Sequence, residues 1–322
     1  MMRAPASEDL GQRTPAPPAA RPRAPRGVRL RRGAPLLFVL PFLVILVVFG
    51  VLPLVFLAWI SLHDWHLVNG DNGFVGLGNY VALLGDPNFY NALWNTVTIF
   101  LEASVPQVLL ALGIAALLNR PLRGGRLWRT GILLPNVVSV VAVALVFGQL
   151  FGHHYGIVNW LLGQVGIAPI AWQSSFWSSH LAIAVMVIWR WTGYNALIYL
   201  AAMQAVPKEL YEAAALDGAG RWRTFWSITV PGIRPTILFT VLTSTVGGLQ
   251  LFTEPQLFDS SGVAGTGGDS RQFQTIVMYL YEKGMGTLDA GYSAAISWIV
   301  FVLCVVFALV NVGLVRKLVR AA

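Results

Sequence analysis

Six apolar runs dominate the chain, at about residues 36–62, 95–118, 130–152, 178–203, 236–251 and 290–315. All but the fifth exceed the roughly 20 residues a helix needs to cross the hydrocarbon core of a bilayer. The fifth is cut short by Glu254 and Pro255, and Phe252 and Leu257 can extend it. Pro41, Pro53, Pro106, Pro135 and the Gly247–Gly248 pair lie inside runs. Such breakers persist in membrane helices where neighbours re-satisfy the freed backbone groups, so the pattern predicts a packed bundle. The fold class expected is all-α, a polytopic bundle of six transmembrane helices.

Polar positions between the runs supply the orientation. The gap 63–90 carries Asp64, Asp71 and Asp86 without a Lys or Arg, whereas 119–129 holds Arg120, Arg123, Arg126 and Arg129. Gap 153–177 again lacks basic residues, and 204–235 has Lys208, Arg221, Arg223 and Arg234. Loop 254–289 sets Arg271 and Lys283 against five acids, and Arg316, Lys317 and Arg320 close the chain. Basic loops stay on the cytoplasmic side, so both termini are expected to be cytoplasmic. Residues 1–33, rich in Pro, Ala and Arg, bury too little apolar surface to order and read as a disordered basic leader to a permease domain over 34–322. The following run is too long for a signal peptide and has no A-x-A site.

Composition agrees with a membrane protein. The chain is 56% hydrophobic and 11% charged, with mean hydropathy +0.65. A soluble chain carries roughly 25% charged residues. The net charge of +8 does not imply nucleic acid, because eight of the 22 basic residues precede position 33 and most others sit in short gaps. One cysteine, Cys304, rules out an internal disulfide and a CxxC site. The adjacent His153 and His154 do not read as a metal site, since neighbouring side chains point apart on most backbones and no carboxylate is near in sequence.

The fourth gap, 205–235, is the most informative. Pro207 suits a first helical turn, 208–216 are good helix formers, and Gly218 and Gly220 permit a stop and a sharp turn. A second short helix, 221–229, is expected to end at Pro231 and Pro235. Leu210, Tyr211 and Ala214 form an apolar stripe on the first, and Glu209, Glu212 and Asp217 carry its charge. Read without relatives, this helix could equally lie on the membrane surface.

The string Glu212-Ala213-Ala214-Ala215-Leu216-Asp217-Gly218-Ala219, followed by Ile228 and Val230-Pro231, resembles the EAA loop of ABC importer permeases, with Val230 in place of Leu. The segments 74–80 (FVGLGNY), 156–159 (GIVN) and 207–218 are similar to the sugar-permease branch, which includes maltose and glycerol-phosphate importer subunits. Residues 259–269 depart from that branch in length and glycine content. The resemblance implies a permease subunit of an ATP-driven, binding-protein-dependent importer in the bacterial cytoplasmic membrane, with a sugar as cargo. Glycerol phosphate or another polar solute is the alternative cargo, and a secondary transporter the more distant one.

The resemblance also assigns parts. Glu212 would make an ionic contact with a cytoplasmic ABC ATPase dimer, Ala213 and Ala214 would pack closely against it, and Asp217, Gly218 and Pro231 complete the coupling elbow. Further partners implied are a second homologous permease, forming a heterodimer, and an external solute-binding protein. No GxxxxGK[ST] loop is present, so no cofactor is expected in this chain and ATP is used by the partner ATPase. It is not expected to be an enzyme.

Glu102 and Arg190 lie inside spans, where charged groups face a bundle interior by default. Their depths differ by about five residues, roughly 8 Å, which two long side chains can bridge. Trp191, Tyr194, Asn195 and Gln250 join them as candidates for the substrate pathway, because aromatic faces and amides suit sugar rings.

Overall fold

The computed structural model describes residues 34–260 and 262–320, so the basic leader over 1–33 lies outside the described residues. The chain divides into two compact units, one up to Pro53 and one from Leu54 onward. The described part of the first is α1 (Ala34–Leu46) with a π turn at Val47–Val51. Its side chains from Val39 to Val51 are apart from Pro41 and Gly50 large and apolar, and most are exposed. An all-apolar exposed helix has lipid or another membrane helix as its natural surroundings. The helical run Val39–Ile60, including α2 (Leu52–Ile60), is long enough to cross a membrane.

The second unit opens with an antiparallel hairpin, β1 (His63–His66) and β2 (Gly70–Phe74), then α3 (Gly78–Leu84). Asn79 Nδ2 donates to the carbonyls of Ser61 at 3.0 Å and His63 at 2.9 Å, which fastens the hairpin to the end of α2. The long helix α4 (Pro87–Leu118) is capped by Asp86, whose carboxylate accepts from Asn88 N at 2.9 Å.

The third apolar run does not form one straight span. It folds as α5 (Gly125–Val137) and α6 (Val140–Leu150), bent by 89° at Val138–Ser139. Val138 is extended, and the α6 ladder restarts with Val143 N donating to Ser139 O at 3.0 Å. A short α7 (Ile157–Gln164) leads to α8 (Phe176–Gln204), which packs along α4 as the centre of the bundle.

Next come α9 (Lys208–Leu216), α10 (Arg221–Thr224), a π turn at Phe225–Thr229 and α11 (Val230–Gly232). A bend of 69° then leads into α12 (Arg234–Leu249). Pro231 therefore does not close the second short helix, as the sequence predicts; the helix runs through it to Gly232. Proline lacks only an amide hydrogen and is tolerated in an opening turn, here after the π turn. Pro235 likewise sits in the first turn of α12.

The chain finishes with α13 (Thr253–Phe258), α14 (Ile276–Tyr281), a π turn at Glu282–Gly286 and α15 (Ala290–Arg320). Among the described residues four helices are long and apolar enough to span, and six spans result when each bent pair counts as one.

Three buried clusters stack along the second unit. One joins Leu112, Leu118, Tyr199, Met203 and Ile233 beside the segment α9–α11. A middle one holds Ile99, Ile183, Met186 and Phe273, and a third holds Leu83, Phe89, Tyr279 and Ile296 at the hairpin end. The segment 254–289, irregular in sequence, is well tied down. Asp259 accepts from Gly267 N and Gly268 N, both at 3.0 Å, and Asn95 on α4 donates to the carbonyls of Arg271 and Gln274 at 2.9 and 3.1 Å. Arg271 forks onto Glu282 at 2.5 and 2.7 Å.

His180, near the start of α8, is fully buried and donates to Gln272 O at 3.0 Å. The His153 and His154 rings do not point apart; they meet edge to face at 4.6 Å. No group of three or more His, Cys, Asp or Glu side chains converges among the described residues.

Candidate functional site: a mid-span cavity and an exposed elbow

A cavity of about 400 Å³ opens among α4, α8 and α12. Its existence follows from an interruption. Helix α12 is 16 residues long, so it covers about 24 Å and stops short of the roughly 30 Å hydrocarbon thickness. The backbone breaks at Gln250–Phe252 before α13 resumes, and the break forms part of the wall. Non-helical backbone at membrane depth is tolerated where it lines a cavity.

Arg190 is the middle residue of the 29 in α8 and lines the cavity with Trp191, Tyr194 and Asn195. Trp191 and Tyr194 both line it and are 37% and 43% exposed in all, with rings edge to face at 5.9 Å. Gln250 lies across from them at the break, joined by Ser104, Gln107, Thr243 and Ser244. The structure thus brings together five of the six pathway candidates read from sequence. Glu102 is not among the lining residues.

The partner of Arg190 differs from the expected one. Arg190 Nη1 donates to Glu254 Oε1 at 2.8 Å, and both side chains are largely buried. Glu102 stays apart, with its buried Oε2 unpartnered. Residue spacing along α4 and α8 gave depth alone; Glu254 reaches the same depth because the chain breaks after α12. Arg190 also sits 5.4 Å from the centroid of the Trp191 ring. Its Nε, and the Nδ2 of buried Asn195, have no hydrogen-bond partner. Buried donors without acceptors are costly, and both atoms are covered by neighbouring protein atoms.

The second feature is the turn after α9. Gly218 has φ +71°, the left-handed conformation that only glycine adopts without strain, and Ala219 N closes the helix onto Ala214 O at 2.9 Å. Glu212, Ala213, Asp217 and Gly218 are exposed, as is Pro231. Ala214 is not: it is 9% exposed and packs inward. With Tyr211, whose hydroxyl meets Thr229 Oγ1 at 3.2 Å, it holds the elbow on the bundle. Leu210, placed by sequence in the same stripe, is exposed at 49%. Sequence reasoning missed Leu216 and Trp222, which flank the glycines at 90% and 75% exposure. Large apolar side chains beside a turn that water alone would surround were the available signal.

Comparison with known proteins agrees with this geometry. Residues 107–320 match the family model of the binding-protein-dependent transport system inner membrane component. The lactose transport system permease protein LacF of Rhizobium radiobacter is 37% identical over 286 residues, covering 87% of this chain and 93% of LacF. The arabinooligosaccharides transport system permease protein AraP of Bacillus subtilis is 32% identical over 286 residues, covering 88% and 89%. A bacterial alginate ABC transporter, solved in complex with alginate pentasaccharide-bound periplasmic protein, contains a chain of like fold. Its TM-score is 0.76 at 22% identity, covering 88% of this chain and 93% of that one. The chain is an integral-membrane permease of the ABC-importer class. It belongs to the family of binding-protein-dependent transport system inner membrane components. A solitary ion-gradient transporter is thereby set aside.

Proposed function

We propose that this permease imports an uncharged sugar or short oligosaccharide. The observation that carries the cargo assignment is the cavity wall, which combines the rings of Trp191 and Tyr194 with amide and hydroxyl side chains. Sugar C–H faces stack on rings while hydroxyls accept from such donors. The named relatives, LacF and AraP among them, support the same cargo class. Glycerol phosphate or another charged polar solute is favoured by one observation, the Arg190 guanidinium in the wall, and opposed by the Glu254 carboxylate seated on it.

The exposed elbow is the docking surface for a cytoplasmic ABC ATPase, with Glu212, Ala213, Asp217 and the apolar Leu216 and Trp222 presented outward. ATP belongs to that partner and no cofactor to this chain. This arrangement requires both termini in the cytoplasm, as the basic loops suggest. A second, different permease completes the membrane channel, and an external binding protein delivers cargo.

Trp191→Ala tests the cargo reading in proteoliposomes holding the assembled importer. Loss of one stacking ring, worth about 1–1.5 kcal/mol, is expected to lower uptake of a neutral oligosaccharide roughly ten-fold. Unchanged uptake in both Trp191→Ala and Arg190→Ala would remove the cavity from the pathway.

A further inference from the structure

We propose that Glu254 sets the charge selectivity of the cavity, by cancelling the field of Arg190 so that uncharged solutes enter and anions are refused. The proposal rests on the reading of this cavity as the cargo path. Arg190 and Glu254 are the only Lys, Arg, Asp, Glu or His among the described lining residues. Their contact is direct, at 2.8 Å, with side-chain exposures of 17% and 6%. At the middle of a membrane helix, a charge acts in a medium that screens it weakly. Arg190 alone would fill the cavity with positive potential and draw anions into it. With Glu254 in place, what remains for a solute is the neutral polar lining, the hydroxyls of Ser104, Thr243 and Ser244 and the amides of Gln107, Asn195 and Gln250.

The sequence positions make this a separable device. Arg190 comes from the core helix α8, whereas Glu254 comes from the first turn of α13, after the chain break. Substitution at 254 alone can therefore change the charge of the cavity without touching the rings that face it. Because Arg190 lies 5.4 Å from the centroid of the Trp191 ring, loss of the Glu254 charge alone leaves a net positive field at that ring, and loss of both charges leaves none.

The test reads that difference through Trp191, which lines the cavity against Arg190. The purified complex with its co-purifying subunits is titrated with iodide, caesium and neutral acrylamide. The Trp191 signal is the difference between each protein and the same protein carrying Trp191→Phe. In the wild type, acrylamide should quench this component while both ions quench it weakly. Glu254→Gln should raise iodide quenching several-fold, as focusing by an uncancelled charge predicts, with acrylamide unchanged. Arg190→Gln should give the mirror image, raised by caesium. The double substitution should return both ions to the wild-type level.

Removing one partner of a buried pair can destabilise a protein strongly, so the two single variants serve as independent arms, and either suffices if the other does not assemble. Iodide quenching in Glu254→Gln, or caesium quenching in Arg190→Gln, no higher than in the wild type would overturn the proposal. The measurement needs neither cargo nor ATP, so its failure leaves the import reading standing. Loss of sugar uptake in Trp191→Ala bears on that reading alone.

Discussion

Gly193 shows how little room single residues have where α8 meets α5. A Cβ built on it would lie 1.8 Å from Ile132 O, a backbone atom that cannot swing aside. Gly193→Ala should therefore destabilise by about 3 kcal/mol, the upper end for overpacking, and lower the melting temperature of the detergent-solubilised protein. Asp86 acts through charge. Burial pushes its carboxyl upward, but donors from Tyr279, Asn88 N and Tyr292 and the Lys283 ammonium outweigh that and hold it below the usual carboxylate range. Its contribution is complete above the unfolded pKa of about 4 and fades as pH falls through the lowered folded value. Asp86→Asn should be less stable at neutral pH, by about 1–2 kcal/mol. The gap between mutant and wild-type melting temperatures, open at pH 7, should then close as the pH falls well below 4. A constant gap across that window would show that Asp86 does not supply the titrating contact.

Among elements, the elbow between α9 and α10 was readable because its glycine and proline spacing encodes local geometry. Gly218 adopts the turn predicted for it, and the two short helices exist. The spacing places Ala214 in an apolar stripe with Tyr211, and it does turn inward, whereas Leu210 of the same stripe is exposed. The resemblance, by contrast, pairs Ala214 with Ala213 on the outer surface. Segments 74–80 and 156–159 were recognisable by resemblance, yet their physical task appears only in three dimensions. Asn79 fastens the hairpin, and Asn159 bonds His153 O, Ile170 O, Ile170 N and Trp172 Nε1. The break in the third run was also hidden, because α5 and α6 together keep the hydrophobicity of one span. Gly218→Val should cost about 1–2 kcal/mol in left-handed strain alone, since open space surrounds the position. The bundle should still assemble, while ATPase co-purification falls. Full recruitment of the ATPase by this variant would mean that the turn's shape is not what the partner reads.

At the scale of the whole molecule, six apolar runs fixed the class of fold, while the pairing of Arg190 with Glu254 depended on where the chain breaks after α12. Hydropathy reports which segments prefer lipid, and it says nothing of which charges meet inside. The buried cluster of Leu112, Tyr199 and Ile233 lies between the cavity and the exposed elbow. In the proposed function the elbow receives force from a separate nucleotide-driven subunit. Photo-crosslinking tests this most directly, with a photoreactive phenylalanine analogue in place of Ala213 or Leu216, and in place of buried Ala214 as control, in the complex in native membranes. Adducts to a cytoplasmic ATPase from positions 213 and 216, and none from 214, are the predicted result. No adduct from either exposed position, or labelling of position 213 by a membrane-impermeant reagent applied outside the cell, would contradict it.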